Sequence, residues 1–184
     1  MQMTTPPAAL FGDAVEPDDK DWTWVVSQPC PDCGFDPAQH DPVDTGSALR
    51  STVPRWQAVL AGPDVADRSR ADTWSALEYG CHVRDVCTIF GGRLAQMLAQ
   101  DGARFDNWDQ DATALEKRYR ETLPADVSRD LSAAAADLAA AFDAVPDDAW
   151  RNRGFRSNGS EFTVRTFALY LLHDIVHHLH DVSG

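Results

Sequence analysis

The segment from Phe162 to Val182 contains neither glycine nor proline and holds four of the chain's six histidines, His173, His177, His178 and His180. It follows the turn-forming run Arg156-Ser157-Asn158-Gly159-Ser160. Val164, Phe167, Ala168, Leu171, Ile175, Leu179 and Val182 recur along it at helical spacing, so it is predicted to be the last helix. Its apolar arc needs other helices to cover it. Residues four apart share a helix face about 6 Å from one another, so His173 and His177 can offer both imidazoles to one metal ion. On a wheel of ~100° per residue, His173, His177 and His180 share an arc and His178 points elsewhere. His173 and His180 are roughly 10 Å apart along the axis, so one ion takes either the 173/177 or the 177/180 pair. The arc lies largely opposite the apolar one, which makes a solvent-facing histidine stripe the competing expectation. A metal site requires this helix to be covered on both sides.

The rest of the chain supplies those partners. Ala48, Leu49, Val53, Trp56, Val59 and Leu60 have helical spacing and stop at Gly62-Pro63, with Pro54 expected to kink or delay the helix. A second helix is predicted to start after Thr73, capped by Thr73 or by a Ser75/Glu78 capping box, and to run to about Gln100. Gly91-Gly92 in its middle suggests close packing or a bend. Acids around Trp108 can cap a short helix from Ala112 to Arg120, and an alanine-rich helix spans about Asp126 to Val145. No strand-like alternation persists anywhere, apart from short ambiguous pieces. The pattern is all-α, a four-helix bundle over residues 44–184 preceded by an irregular arm over residues 1–43. Trp22 and Trp24 should anchor that arm, because disordered segments are poor in aromatics.

At 184 residues the chain can bury roughly 70% of its unfolded surface without staples. Twenty-nine acidic against 16 basic residues give a formal charge of −13, which disfavours nucleic acid and anionic membranes as partners. No apolar run approaches the ~20 residues of a membrane span. The residues after Met1 lack the basic and apolar regions of a signal peptide, so a cytoplasmic location with reduced thiols is expected.

A zinc-like centre needs at least three protein ligands. His40 lies in the arm, whereas His82 lies on the second helix, which can face the last one in a bundle. His82, His173 and His177 are therefore the expected metal ligands. Glu78, Asp85, Asp174 and Asp181 are near enough in sequence to accept from the outer ring nitrogens, Glu78 best of all, and His180 is left at the surface or just outside the ligands. Asp109 and Asp111 are candidate catalytic acid-base groups at the bundle mouth, with helix capping as the simpler role. Cys30-Pro31-Asp32-Cys33-Gly34 resembles half of a zinc knuckle. A composite site with His40, a redox pair and a plain turn near Trp24 all remain open for it. Cys81 and Cys87 have the wrong spacing to complete it, and Cys81 is expected to be a small buried residue.

Trp74-Ser75-Ala76-Leu77-Glu78 followed by His82, with His173-x-x-x-His177-His178 far downstream, resembles the DinB/YfiT-like family of metalloenzymes over about residues 44–182. The resemblance implies a four-helix bundle and a divalent metal, zinc or nickel, held by a histidine of the second helix and two residues four apart on the last. It maps onto His82, His173 and His177, with His173 where glutamate is frequent in related enzymes. Those relatives include mycothiol-dependent isomerases and thiol S-transferases. The Cys30–Asp36 and Trp108–Asp111 stretches are similar to an actinobacterial branch, which implies mycothiol as cosubstrate. The expected function is metal-dependent activation of a low-molecular-weight thiol toward a small-molecule substrate. A non-catalytic metal-binding bundle that forms a homodimer, and a metal-dependent hydrolase, are the alternatives.

Overall fold

The computed structural model describes Val15 and residues 20–184. The portion of the arm before residue 20 lies otherwise outside the described residues. Five α-helices follow in order: α1 Thr45–Leu60, α2 Ala76–Ala99, α3 Gln110–Glu116, α4 Pro124–Asp143 and α5 Val164–Asp181. None of the described helices is long and apolar enough to cross a membrane. The four long ones form the bundle, with α4 packed against both α1 and α2, and α5 covering α1 and α2.

Local sequence chemistry sets the helix ends. At α2, Ser75 Oγ accepts from the Glu78 N–H and Glu78 Oε2 accepts from the Ser75 N–H at 2.9 Å, a reciprocal capping box. Thr163 and Thr166 make the equivalent box at α5, and Asp109 caps α3 through the Ala112 N–H at 2.8 Å. Helix α4 opens on Pro124, whose missing N–H lies among the donors that have no helical partner anyway. Helix α1 continues through Pro54, and α2 continues through Gly91-Gly92. The core is one cluster, with Leu49, Trp56, Leu77, Val86, Leu94, Leu131, Leu138, Phe142, Phe167, Leu171 and Leu179 all almost fully buried.

A small sheet departs from the all-helical expectation. Strands β1 Ala103–Phe105, β2 Arg153–Arg156 and β3 Glu161–Thr163 lie in that order, β1 parallel to β2 and β2 antiparallel to β3. Such short strands carry too few residues for alternation to show, and β1 pairs with a segment some fifty residues away. The turn between β2 and β3 contains Gly159 at φ 96°. The sheet joins the end of α2 to the start of α5. At its centre, a Cβ on Gly154 would meet Phe105 Cε1 at 2.7 Å and Met97 Cγ and Sδ at 2.9 Å, all buried. Gly154→Ala is therefore expected to destabilise the fold by about 1–3 kcal/mol, read as a lowered midpoint in thermal or urea denaturation.

The arm is bound to the bundle rather than detached. The 3-10 turn Thr23–Val26 lies on α5, and Val25 is fully buried. After it, the Cys30–Gly34 turn closes through Gly34 N–H to Cys30 O at 2.9 Å and Cys30 N–H to Phe35 O at 2.8 Å. Gly34 sits at φ 75°, a conformation most side chains avoid.

Candidate metal centre

His82 projects from the first half of α2 and is 1% exposed. Trp108 stacks on its ring at 5.2 Å with 7° between planes, and Trp74 packs at 5.3 Å. Both ring nitrogens are buried without a hydrogen-bond partner. An orphaned buried polar atom costs on the order of 1–3 kcal/mol, so an imidazole held by packing alone, with both nitrogens unpaired, calls for a ligand.

Across the interface, α5 presents Asp174 and His178, four residues apart on one face. Asp174 Oδ1 lies 3.6 Å from His82 Nε2 and 3.8 Å from His178 Nε2. The three donors fall within 4.8 Å of one another. A nitrogen and an oxygen bound to one tetrahedral ion lie about 3.4 Å apart, so these separations are too long for hydrogen bonds and close to those of shared ligands. Asp174 Oδ1 is itself buried and unpaired. His178 Nδ1 is 2.9 Å from Asp181 Oδ2, so the carboxylate fixes the proton on Nδ1 and turns the Nε2 lone pair toward Asp174. Tyr79 lies against the same ring at 4.9 Å.

Electrostatics favour the ligating protonation states. Burial lowers the His82 pKa, outweighing the attraction of Asp174, and keeps the imidazole neutral. For Asp174, burial raises the pKa, but the facing His82, His178 and His173 more than offset it and hold the carboxyl below its usual range. Burial likewise opposes ionisation of Asp181, and the His178 contact overcomes it. A neutral imidazole, a carboxylate and a histidine oriented by a second carboxylate fit a divalent ion.

The expected trio is thus divided. His82 gathers with Asp174 and His178, whereas His173 and His177 gather with Cys30 and Cys33. The two α5 pairs differ by one residue, a rotation of ~100°, and only the placement of α2 decides which one meets His82. Asp174, expected to lie outside the ligands, and His178, expected to point elsewhere, are the donors that gather with His82. The sequence signal for this set is Asp174-x-x-x-His178, one residue along from His173-x-x-x-His177. His173 is 4% exposed, and burial, together with the neighbouring His177, pushes its pKa down to about 4. His180 is exposed.

The other acids are engaged elsewhere. Glu78 is paired with Arg68, through Arg68 Nε to Oε2 at 2.9 Å and Nη2 to Oε1 at 2.5 Å. Asp85 accepts from Arg84, Lys117 and the Tyr119 hydroxyl, the last at 2.6 Å. His40 stacks on Phe35. Cys81 is buried with its thiol near Thr122 Oγ1 at 3.2 Å.

Above Asp174 and His178 opens a cleft of about 620 Å³. Trp22, Trp74, Trp108 and Tyr170 form its apolar surfaces, and Asp109 and Asp111 stand in its wall. Lys20 and Arg156 also line it, a cationic element in a strongly acidic protein. Arg156 packs 5.2 Å from the Tyr170 ring, and its buried Nε has no hydrogen-bond partner.

Fold and site together define a helical-bundle protein with a cluster of histidine and aspartate donors, spaced to hold a metal ion, between its second and last long helices. The chain belongs to the DinB superfamily, whose model matches residues 63–182. Among solved structures it is similar to YfiT from Bacillus subtilis, at 14% identity and a TM-score of 0.69, covering 86% of this chain and 93% of that one. YfiT is described as a probable metal-dependent hydrolase with an unusual four-helix bundle topology, and the likeness establishes the fold. No curated protein matches the sequence.

Proposed function

We propose that the protein is a metal-dependent enzyme that activates a low-molecular-weight thiol for transfer to, or isomerisation of, a small electrophilic substrate. The observation that carries this reading is the set of buried, unpaired donors on His82 and Asp174, with Asp174 and His178 lining an open cleft. Three protein ligands with a cleft above leave a position for an exogenous ligand, the mark of a catalytic rather than a structural centre. A divalent ion held there would lower the pKa of a bound thiol or water.

The side chains around it set the rest. Trp74 and Trp108 fix the His82 ring, and Asp181 fixes the His178 tautomer. Indole faces beside Asp72, Asn107 and Asn158 make a wall of stacking surface and hydrogen-bonding groups, which suits a sugar-bearing thiol such as mycothiol. Arg156 and Lys20 offer positive charge to an anionic end of either substrate. Asp109 and Asp111 line the cleft, and in this reading one of them accepts the proton released as the thiol ionises. A volume of about 620 Å³ accommodates a drug-sized ligand.

Metal-dependent hydrolysis is the second reading, favoured by the description of YfiT. Incubating the zinc- or nickel-loaded protein with low-molecular-weight thiols, electrophiles and activated esters separates the two. Expected are mass-shifted thiol conjugates that require both metal and His82. Ester cleavage indifferent to thiol supports hydrolysis instead. Absence of both reactions from fully loaded protein sinks the enzymatic reading and leaves a metal-binding bundle.

A further inference from the structure

We propose that Cys30, Cys33, His173 and His177 form a second metal site, a closed Cys2His2 zinc centre that clamps the N-terminal arm onto α5. Each residue offers one ligand atom, and the four atoms lie within 4.8 Å of one another. Cys30 Sγ is 3.7 Å from His177 Nδ1. A sulfur at about 2.3 Å and a nitrogen at about 2.0–2.1 Å from one tetrahedral zinc lie about 3.6 Å apart. The pair therefore has the spacing of two ligands on one ion.

The backbone is shaped for the same purpose. Cys30-x-x-Cys33-Gly34 forms a tight knuckle, with Gly34 in the left-handed region and its N–H on Cys30 O. On the other side, His173 and His177 are one helical turn apart on α5, and their rings lie 5.0 Å apart. C-x2-C with H-x3-H is the ligand spacing of structural zinc sites. Trp22 packs on both imidazoles, at 5.4 and 4.9 Å, and Phe35 meets His173 edge-on at 5.7 Å. His173 Nε2 is buried without a hydrogen-bond partner, and Cys30 is 1% exposed. Without an ion the cluster strands that nitrogen. With one, two thiolates neutralise the double positive charge and all four positions are filled by protein.

The two centres differ in kind. Thiolates select zinc, and four protein ligands leave no position for substrate. The His82 centre has a carboxylate and only three protein donors, and both clusters border the cleft, one through Asp174 and His178 and the other through His173 and His177. His173 and His177 each stand one residue before Asp174 and His178 on α5, so the two sites share one helix.

X-ray absorption at the zinc edge and cobalt substitution of the full chain test this directly. Expected are two metal equivalents per chain, about one sulfur scatterer per zinc at ~2.3 Å when both sites hold zinc, since only one of the two carries two thiolates, and a thiolate-to-cobalt charge-transfer band. Cys30→Ser with Cys33→Ser should abolish the band and remove one equivalent. His82→Ala should remove the other equivalent and keep the band, so failure at either centre is read separately. Wild-type spectra with only nitrogen and oxygen ligands, or a Cys30–Cys33 disulfide in freshly reduced and zinc-exposed protein, would overturn the proposal. Those spectra need no variant, so a double mutant that fails to fold leaves the test intact.

Discussion

His82→Ala lowers affinity for a divalent ion at the Asp174/His178 centre by more than about 100-fold. Loss of a mere outer hydrogen-bond partner already costs 10–100-fold in metal affinity, and His82 would be a direct ligand. Competition against a chelator of known affinity measures this, with far-UV circular dichroism confirming that the bundle persists. His173→Ala is the informative contrast. It leaves the Asp174/His178 centre in place, because His173 faces Cys30 and Cys33 instead. If His173→Ala abolished binding at the His82 centre while His178→Ala did not, the assignment of the α5 pair would be reversed. Asp181→Asn, which removes the carboxylate holding His178 Nδ1, should fall between, with a loss of about 10–100-fold.

Glu78→Gln destabilises the fold by about 3–5 kcal/mol, the usual cost of removing one partner of a buried ion pair. Side-chain exposure is 1% for Arg68 and 2% for Glu78, so the variant removes a carboxylate charge that faces a guanidinium held away from water. The same change weakens the α2 capping box, since Glu78 Oε2 also accepts from the Ser75 N–H. For a chain of this size, each kcal/mol moves the melting midpoint by about 2–4 °C. The drop should therefore reach roughly 6–20 °C by calorimetry. A drop under about 2 °C would show that the pair is solvated in solution.

The pH dependence of this pair has a definite sign. Burial works to raise the Glu78 pKa, but Arg68 and Ser75 outweigh it, and the folded value lies below the ordinary 4.5. The unfolded chain then binds the proton more readily than the folded one. The contribution of Glu78 to stability is fully present above the unfolded pKa and is lost as pH falls below 4.5 through the lowered folded value. Urea midpoints of wild type and Glu78→Gln measured between neutral and acid pH should converge as the pH drops.

Much of the helical frame was legible before any contact was known. Leu49, Trp56 and Leu60 on α1, and Leu131, Leu138 and Phe142 on α4, recur at the period of a buried helix face, and each is buried. Ser75 and Glu78 announced the start of α2, and Pro146 followed the end of α4. Glu78 is engaged by Arg68 rather than by His82. Its sequence distance from His82 suggested an acceptor for that imidazole, but the loop carrying Arg68 folds back onto it. Nothing local in the sequence reports which distant guanidinium reaches a buried carboxylate.

The histidine cluster shows the same division. The sequence alone determined that α5 carries donors four apart, that His82 on α2 can meet them, and that Cys30 and Cys33 form a knuckle-like turn. These follow from helix periodicity and turn chemistry, which are local. Only the tertiary structure decided that His82 pairs with Asp174 and His178, leaving His173 and His177 to Cys30 and Cys33. The physical reason is rotational. Neighbouring positions on α5 differ by ~100°, so which pair faces α2 and which faces the arm depends on how the whole apolar arc of α5 seats against α1 and α2.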